Sequence, residues 1–150
     1  LGVDLSVQVA AAGEAARRSM ATARAAVAGM RAAVAAFSGG TLGAARFLAE
    51  VGAQPALLLT SHLSRQDARE RDALLARGFD PLVGLARGTA QLAPLLRSLG
   101  IKLYAGHGDR YSLAGLGIGH LHPEPPRARW GYEAARWAAD AVAAAGRPSR

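Results

Sequence analysis

Short, continuous apolar runs alternate along this chain with longer stretches of helical period. From Ser6 to Gly29 the sequence is rich in alanine, the strongest helix former, with Gly13 as the only breaker. Ser6 suits the start of a helix and Gly29 its end. Val9, Met20 and Val27 form only a weak apolar stripe. This predicts one long helix, or two shorter ones, packed loosely or against something outside the chain. Ala32 to Phe37 is an unbroken apolar run that feeds the turn Ser38, Gly39, Gly40, as a fully buried strand would. Thr41 to Val51 then predicts a helix with Leu42, Phe47, Leu48 and Val51 inward, stopped by Gly52.

The alternation continues. Pro55 to Thr60 reads as a second strand and Ser61 to Ser64 as a loop. Ser64 and Asp67 have the spacing of a capping box, opening a helix that runs to Arg77 before Gly78. Asp80 to Leu85 is a short third strand, and Gly88 to Leu99 a helix with a leucine stripe in which Pro94 marks a kink or a late start. Ile101 to Ala105 is the fourth strand. A long loop rich in Gly and Pro covers Gly106 to Arg129, and Trp130 to Ala145 is the closing helix. Strands and helices alternating at this spacing imply a parallel sheet with right-handed crossovers. The expected fold is α/β: a four-stranded Rossmann-like or flavodoxin-like sheet, with helices on both faces and an extra N-terminal Ala-rich helix. Residues 1–29 form the helical segment and residues 30–150 the Rossmann-like domain.

Composition narrows the function. At 150 residues and 51% apolar content the chain is long enough to bury one core and too apolar to stay disordered. It opens on Leu1 inside ordered-looking sequence, which suggests a piece of a longer polypeptide, and the first residues lack a signal-peptide pattern. No apolar run is long enough to span a bilayer. The net charge of +7 invites a nucleic-acid partner, but the arginines are scattered and interleaved with Asp67, Glu70 and Asp72, with no aromatic stripe beside them. Neither nucleic acid nor membrane is therefore expected. The absence of cysteine removes disulfides and thiolate clusters from this segment and suits a cytoplasmic location.

Candidate chemistry gathers where strands end, because open α/β sheets bind ligands at the carboxyl ends of their strands. His107 stands at the exit of the fourth strand, able to ligate a metal, move a proton or bond a backbone carbonyl. Ser38, Gly39 and Gly40 link a strand to a helix and can present backbone N–H groups to an anion. They lack the dinucleotide fingerprint, and a plain tight turn is the alternative. His120 and His122, two apart in an extended segment with Glu124 as the near carboxylate, have the spacing of partial metal ligands, without a third. His62 reads as a surface-loop residue. Trp130, Tyr132 and Trp137 either line a cofactor pocket or, as large aromatics more often do, cover a sheet edge or interface. Arg127 and Arg129 flank the loop as solvated charges or as partners of an anionic ligand. Neither a nucleophile elbow nor a phosphate-binding P-loop is present.

The order of these parts resembles the carboxy-terminal domain of the nitrogenase component-one family: molybdenum–iron protein subunits, their cofactor-assembly scaffolds and dark-operative protochlorophyllide reductases. The likeness runs from about Met30 to Ala143. It rests on the strand Ala32–Phe37 with its Ser-Gly-Gly turn, the helix end from Phe47 to Ala53, the segment from Leu92 to Ile101, and the run from Arg129 to Ala134. In the family's cofactor-carrying subunits a histidine follows a Gly-Ile-Pro strand at the spacing of Gly100 and Ile101 to His107, and ligates the iron–sulfur–molybdenum cofactor. The resemblance thus implies His107 as metal and cofactor ligand, with Asp109 or Tyr111 partnering its second nitrogen. Lys102 stands where the family usually has Pro, and the family's cluster-binding cysteines belong to preceding domains. By resemblance the chain would be a subunit or domain of a nitrogenase-like oxidoreductase or scaffold, lining a metal-cluster or tetrapyrrole site. Its partners would be a homologous subunit and an ATP-dependent iron–sulfur reductase, and the segment alone would be inactive. The alternative is a non-catalytic Rossmann-like module that binds a small anionic ligand or a partner protein through the Ser38 turn and the last helix.

Overall fold

The computed structural model describes residues 5–35, 40–60, 64–85, 92–107, 113, 115–122 and 131–147. The elements run α1 (Ser6–Val27), β1 (Arg31–Ala35), α2 (Thr41–Glu50), β2 (Gln54–Thr60), α3 (Arg65–Leu75), β3 (Leu82–Leu85), α4 (Leu92–Ser98), β4 (Leu103–Gly106), β5 (Gly119–Leu121) and α5 (Gly131–Ala145). The strands form one sheet in the order β3-β2-β1-β4-β5, every pair parallel. The α/β class and the parallel sheet match the sequence reading. The number of strands does not: the sheet has five strands, not four. The fifth, β5, lies inside the segment read as a loop and places His120 opposite Tyr104 of β4.

Side-chain alternation divides the core into two layers. Ala32, Val34, Leu58, Leu103 and Ala105 face the side covered by α1, α2, α3 and α5, where Leu48, Leu74 and Val142 are fully enclosed. Ala33, Leu57, Leu59 and Tyr104 face the other side, covered by Leu96 of α4 and by Leu113 and Ile118. Helices on both faces follow from crossovers of one hand: β1 to β2 to β3 winds to one side of β1, and β4 and β5 lie on the other.

α1 corrects the expectation of a loosely packed helix. Gly13, Ala16, Ala23 and Val27 are buried, with Met20 packed beside them, at alternating three- and four-residue steps. Such a stripe of small side chains lets α1 lie close along α5. Tyr132 of α5 sits over Gly13, where an added Cβ would stand 3.5 Å from the ring. Val9, counted in the sequence stripe, is half exposed instead. The predicted helix stops hold: Gly29 and Gly52 both adopt positive φ, the left-handed conformation that costs glycine least. The capping box also forms. Asp67 N–H donates to Ser64 Oγ at 3.2 Å, and Ser64 N–H donates to Asp67 Oδ2 at 2.7 Å. Among the described helices none is long and apolar enough to cross a membrane.

Candidate functional site

In this strand order the chain leaves β1 toward β2 on one side, while β4 lies on the other. The carboxyl ends of β1 and β4 therefore bound the sheet's topological switch point, the place where such sheets take ligands. Ala35 ends β1 and Gly106 ends β4, and the two are register partners. His107 comes directly after, half-buried, its backbone N–H donating to the Ala35 carbonyl at 3.3 Å. His107 lies at the exit of the fourth strand, where the sequence reading expected it. Gly106 is what lets the strands meet so closely: a Cβ there would stand 2.5 Å from the Ala35 carbonyl oxygen and 2.9 Å from the Tyr104 ring.

Two further side chains brace this strand exit, and sequence reasoning gave neither that role. His120 Nε2 lies 2.8 Å from the Gly106 carbonyl. A carbonyl only accepts, so this nitrogen carries a proton. The His120 ring also stacks on Tyr104, with centroids 6.0 Å apart. The Tyr104 hydroxyl in turn donates to the His107 carbonyl at 3.5 Å. Burial pushes the Tyr104 phenol above its usual range, because the phenolate would be poorly solvated. The only sequence signal for this brace was the two-residue spacing of His120 and His122, and it pointed to a metal instead.

His122 meets His107 edge to face, ring centroids 4.8 Å apart. The Nε2 atom of His107 is buried. Among the described residues no group of three His, Cys, Asp or Glu side chains is placed to hold a metal, and the chain has no cysteine. The donor set accordingly fits one point of ligation and not a complete cage.

On the α2/α5 side a cavity of about 300 Å³ lies beside the same strand ends. Gly40, Phe47, Leu121, His122 and Trp137 are among its walls. It brings together Gly40 and the last helix, which the alternative reading had paired. A second cavity, about 380 Å³, sits at the opposite end of the strands beside Arg31, Gln54 and Asp80. Tyr132 is half exposed against α1 and lines neither. Ser38, Gly39, His62, Asp109, Tyr111, Glu124, Arg127, Arg129 and Trp130 lie outside the described residues.

No family model matches the chain, and a search of curated proteins finds no match. Among solved structures, one described as "Nitrogenase Cp1 at pH 6.5" superposes over 79% of this chain with a TM-score of 0.63 at 16% identity. The matched region is 26% of that chain. At this identity the likeness is one of fold, and this chain spans about a quarter of its neighbour's length.

Proposed function

We propose that this chain is one Rossmann-like domain of a nitrogenase-like oxidoreductase, or of a scaffold on which such an enzyme's metal cofactor is assembled. Its switch-point crevice would wall one side of a metal-cluster or tetrapyrrole cavity. The observation that carries this reading is His107 at the joined ends of β1 and β4 in a fold shared with a nitrogenase chain. In this reading His107 is the ligand that the described residues offer. A cluster would take its remaining ligands from other domains, since this chain supplies no thiolate. When bound, the cofactor carries the electron chemistry.

This chain's own residues do the positioning. Gly106 lets β1 and β4 close up, His120 holds the Gly106 carbonyl, and Tyr104 holds the carbonyl of His107 itself. Together they fix the backbone that carries the His107 ring, and loss of such outer support typically costs about 10–100-fold in metal affinity or activity. The reading carries with it a homologous partner subunit, an ATP-driven iron–sulfur reductase, a role in nitrogen fixation or tetrapyrrole reduction, and a cytoplasmic setting. Its test is anaerobic purification of the intact assembly, with iron and molybdenum analysis and a visible spectrum. The reading predicts bound metal or pigment that is lost in His107→Ala. Colourless, metal-free protein, or a cofactor content unchanged in His107→Ala, contradicts it.

The cavity beside Gly40 supports a second reading from another class, a non-catalytic module that holds a small anion between the turn after β1 and the last helix. Saturable binding of inorganic phosphate that perturbs Gly40 and Trp137 is its test.

A further inference from the structure

We propose that this chain pairs with a second copy of itself through the first two turns of α1. The pairing needs neither His107 nor a bound anion. An added Cβ on Gly13 would stand 3.5 Å from the Tyr132 ring, and one on Gly146 would meet Ala26 and Val27. Residue 13 therefore lies level with 132, and 26–27 with 146, so α1 and α5 run parallel in constant register. α5 begins at Gly131, level with residue 12, whereas α1 begins at Ser6. Residues 6–11 thus overhang α5 by about 9 Å, at the 1.5 Å rise of a helix. α5 ends where β5 begins, since a Cβ on Gly119 would meet the Ala145 carbonyl. The overhang accordingly projects on the carboxyl side of the sheet.

This arm is not built for water. Every residue from 5 to 12 is exposed, and the run Leu-Ser-Val-Gln-Val-Ala-Ala-Ala carries no charge. Where α5 backs α1 the outer face is charged instead, with Glu14 paired to Arg17 and Arg18. Leu5 and Val9 lie one turn apart on one side of the arm and Val7 on the other, so apolar groups ring it. A helix apolar all round belongs in an interior. No side chain caps α1 at Leu5, and two turns holding two valines gain too little from propensity to stay helical alone. Tyr132, half exposed at the foot of the arm, extends the patch. Of the eight large hydrophobics exposed among the described residues, four stand here, which favours this end over β3, where Leu82 and Val83 are exposed.

Shape and charge select the occupant. An arm projecting beside a ledge is a step, and a step is its own complement under a two-fold rotation. The two arms then lie antiparallel, each with its tip toward the partner's Tyr132. Ala10, Ala11 and Ala12 let them approach closely, as Gly13, Ala16 and Ala23 do along the α1–α5 seam. Each copy carries a net charge of +7, and an uncharged arm lets two such copies meet without setting arginine against arginine. The area is small for a permanent dimer, so a monomer–dimer equilibrium is expected.

Sedimentation velocity of the full chain at rising concentration, to about 1 mM, tests this. The expected result is a concentration-dependent dimer with no larger species. Val7→Glu combined with Val9→Glu should weaken association by about tenfold or more. Glutamate suits a helix N-terminus, so the double variant should keep its fold, which circular dichroism checks. Leu82→Lys, at the β3 edge, should leave association unchanged. A nitroxide on Val9→Cys, labelled cleanly because the chain has no other cysteine, should show strong dipolar broadening, since packed helix axes lie about 8–10 Å apart. A monomer at every concentration overturns the inference and leaves the arm to a different protein. A dimer that survives the double variant, one that Leu82→Lys abolishes, a nitroxide without broadening, or open-ended oligomers overturn it as well.

Discussion

Adding one methyl group to Gly106 and to Gly43 should change stability in opposite directions. Neither glycine has positive φ, so alanine is conformationally allowed at both. In each case the substitution reduces unfolded-chain entropy, a gain of about 0.4–1 kcal/mol. At Gly43, on an exposed helix surface with open space around the new Cβ, little opposes that gain, so Gly43→Ala should stabilise by about 0.5–1 kcal/mol. At Gly106 the Cβ lands 2.5 Å from the Ala35 carbonyl oxygen. A backbone oxygen in a strand ladder cannot swing aside as a side-chain tip can. Overpacking of this kind costs about 1–3 kcal/mol, so the net loss for Gly106→Ala is about 1–2 kcal/mol. A chain of this size loses about 2–4 °C of melting temperature per kcal/mol, so the two variants should melt about 3–12 °C apart. Far-UV circular dichroism in heat and urea measures both, with the urea slope m unchanged if the denatured state is unaffected. Gly106→Ala melting at or above the wild type would show that β1 and β4 do not approach as described, and the switch-point argument would go with it.

Gly119→Ala tests the fifth strand, because its Cβ would meet the Ala145 carbonyl of α5; a loss of about 1–3 kcal/mol in urea unfolding is expected, and no loss contradicts the docking of β5 under α5. Ser64→Ala removes half of the capping box on α3 and should cost about 1 kcal/mol by the same assay. For Tyr104, burial raises the folded pKa above the unfolded value of about 10, so the folded state holds its proton longer. Its contribution is present below pH of about 10 and is lost as pH rises through the folded pKa. Wild type should therefore lose stability relative to Tyr104→Phe above pH of about 10, with tyrosinate absorbance showing one late-titrating phenol; parallel pH profiles for the two proteins contradict this.

Four strands and the helices between them were legible because each carried a strong local signal: unbroken apolar runs such as Ala56 to Leu59, and glycines such as Gly29, Gly52 and Gly78 that end helices in the left-handed conformation. β5 was not legible. Three residues with a histidine at the centre and glycines on the approach carry no periodicity, and the strand exists because β4 offers its open edge. The α1–α5 seam escaped for a related reason. Gly13, Ala16 and Ala23 contribute little hydrophobicity, and their value lies in how near they let another helix come. At the site, position was legible and support was not. His107 could be placed from the strand before it, whereas His120 reaches the neighbouring Gly106 carbonyl and stacks on Tyr104 through a cross-strand pairing that only the sheet order creates.

We propose that the imidazole of residue 107 faces a redox cofactor held mostly by other domains. Electron spin-echo spectroscopy of the intact assembly, with nitrogen-isotope-labelled histidine and the bound cofactor in a paramagnetic state, measures that directly. The account predicts a single imidazole nitrogen coupling that disappears in His107→Ala. A bound cofactor showing no histidine coupling, or one that keeps it in His107→Ala, contradicts the account.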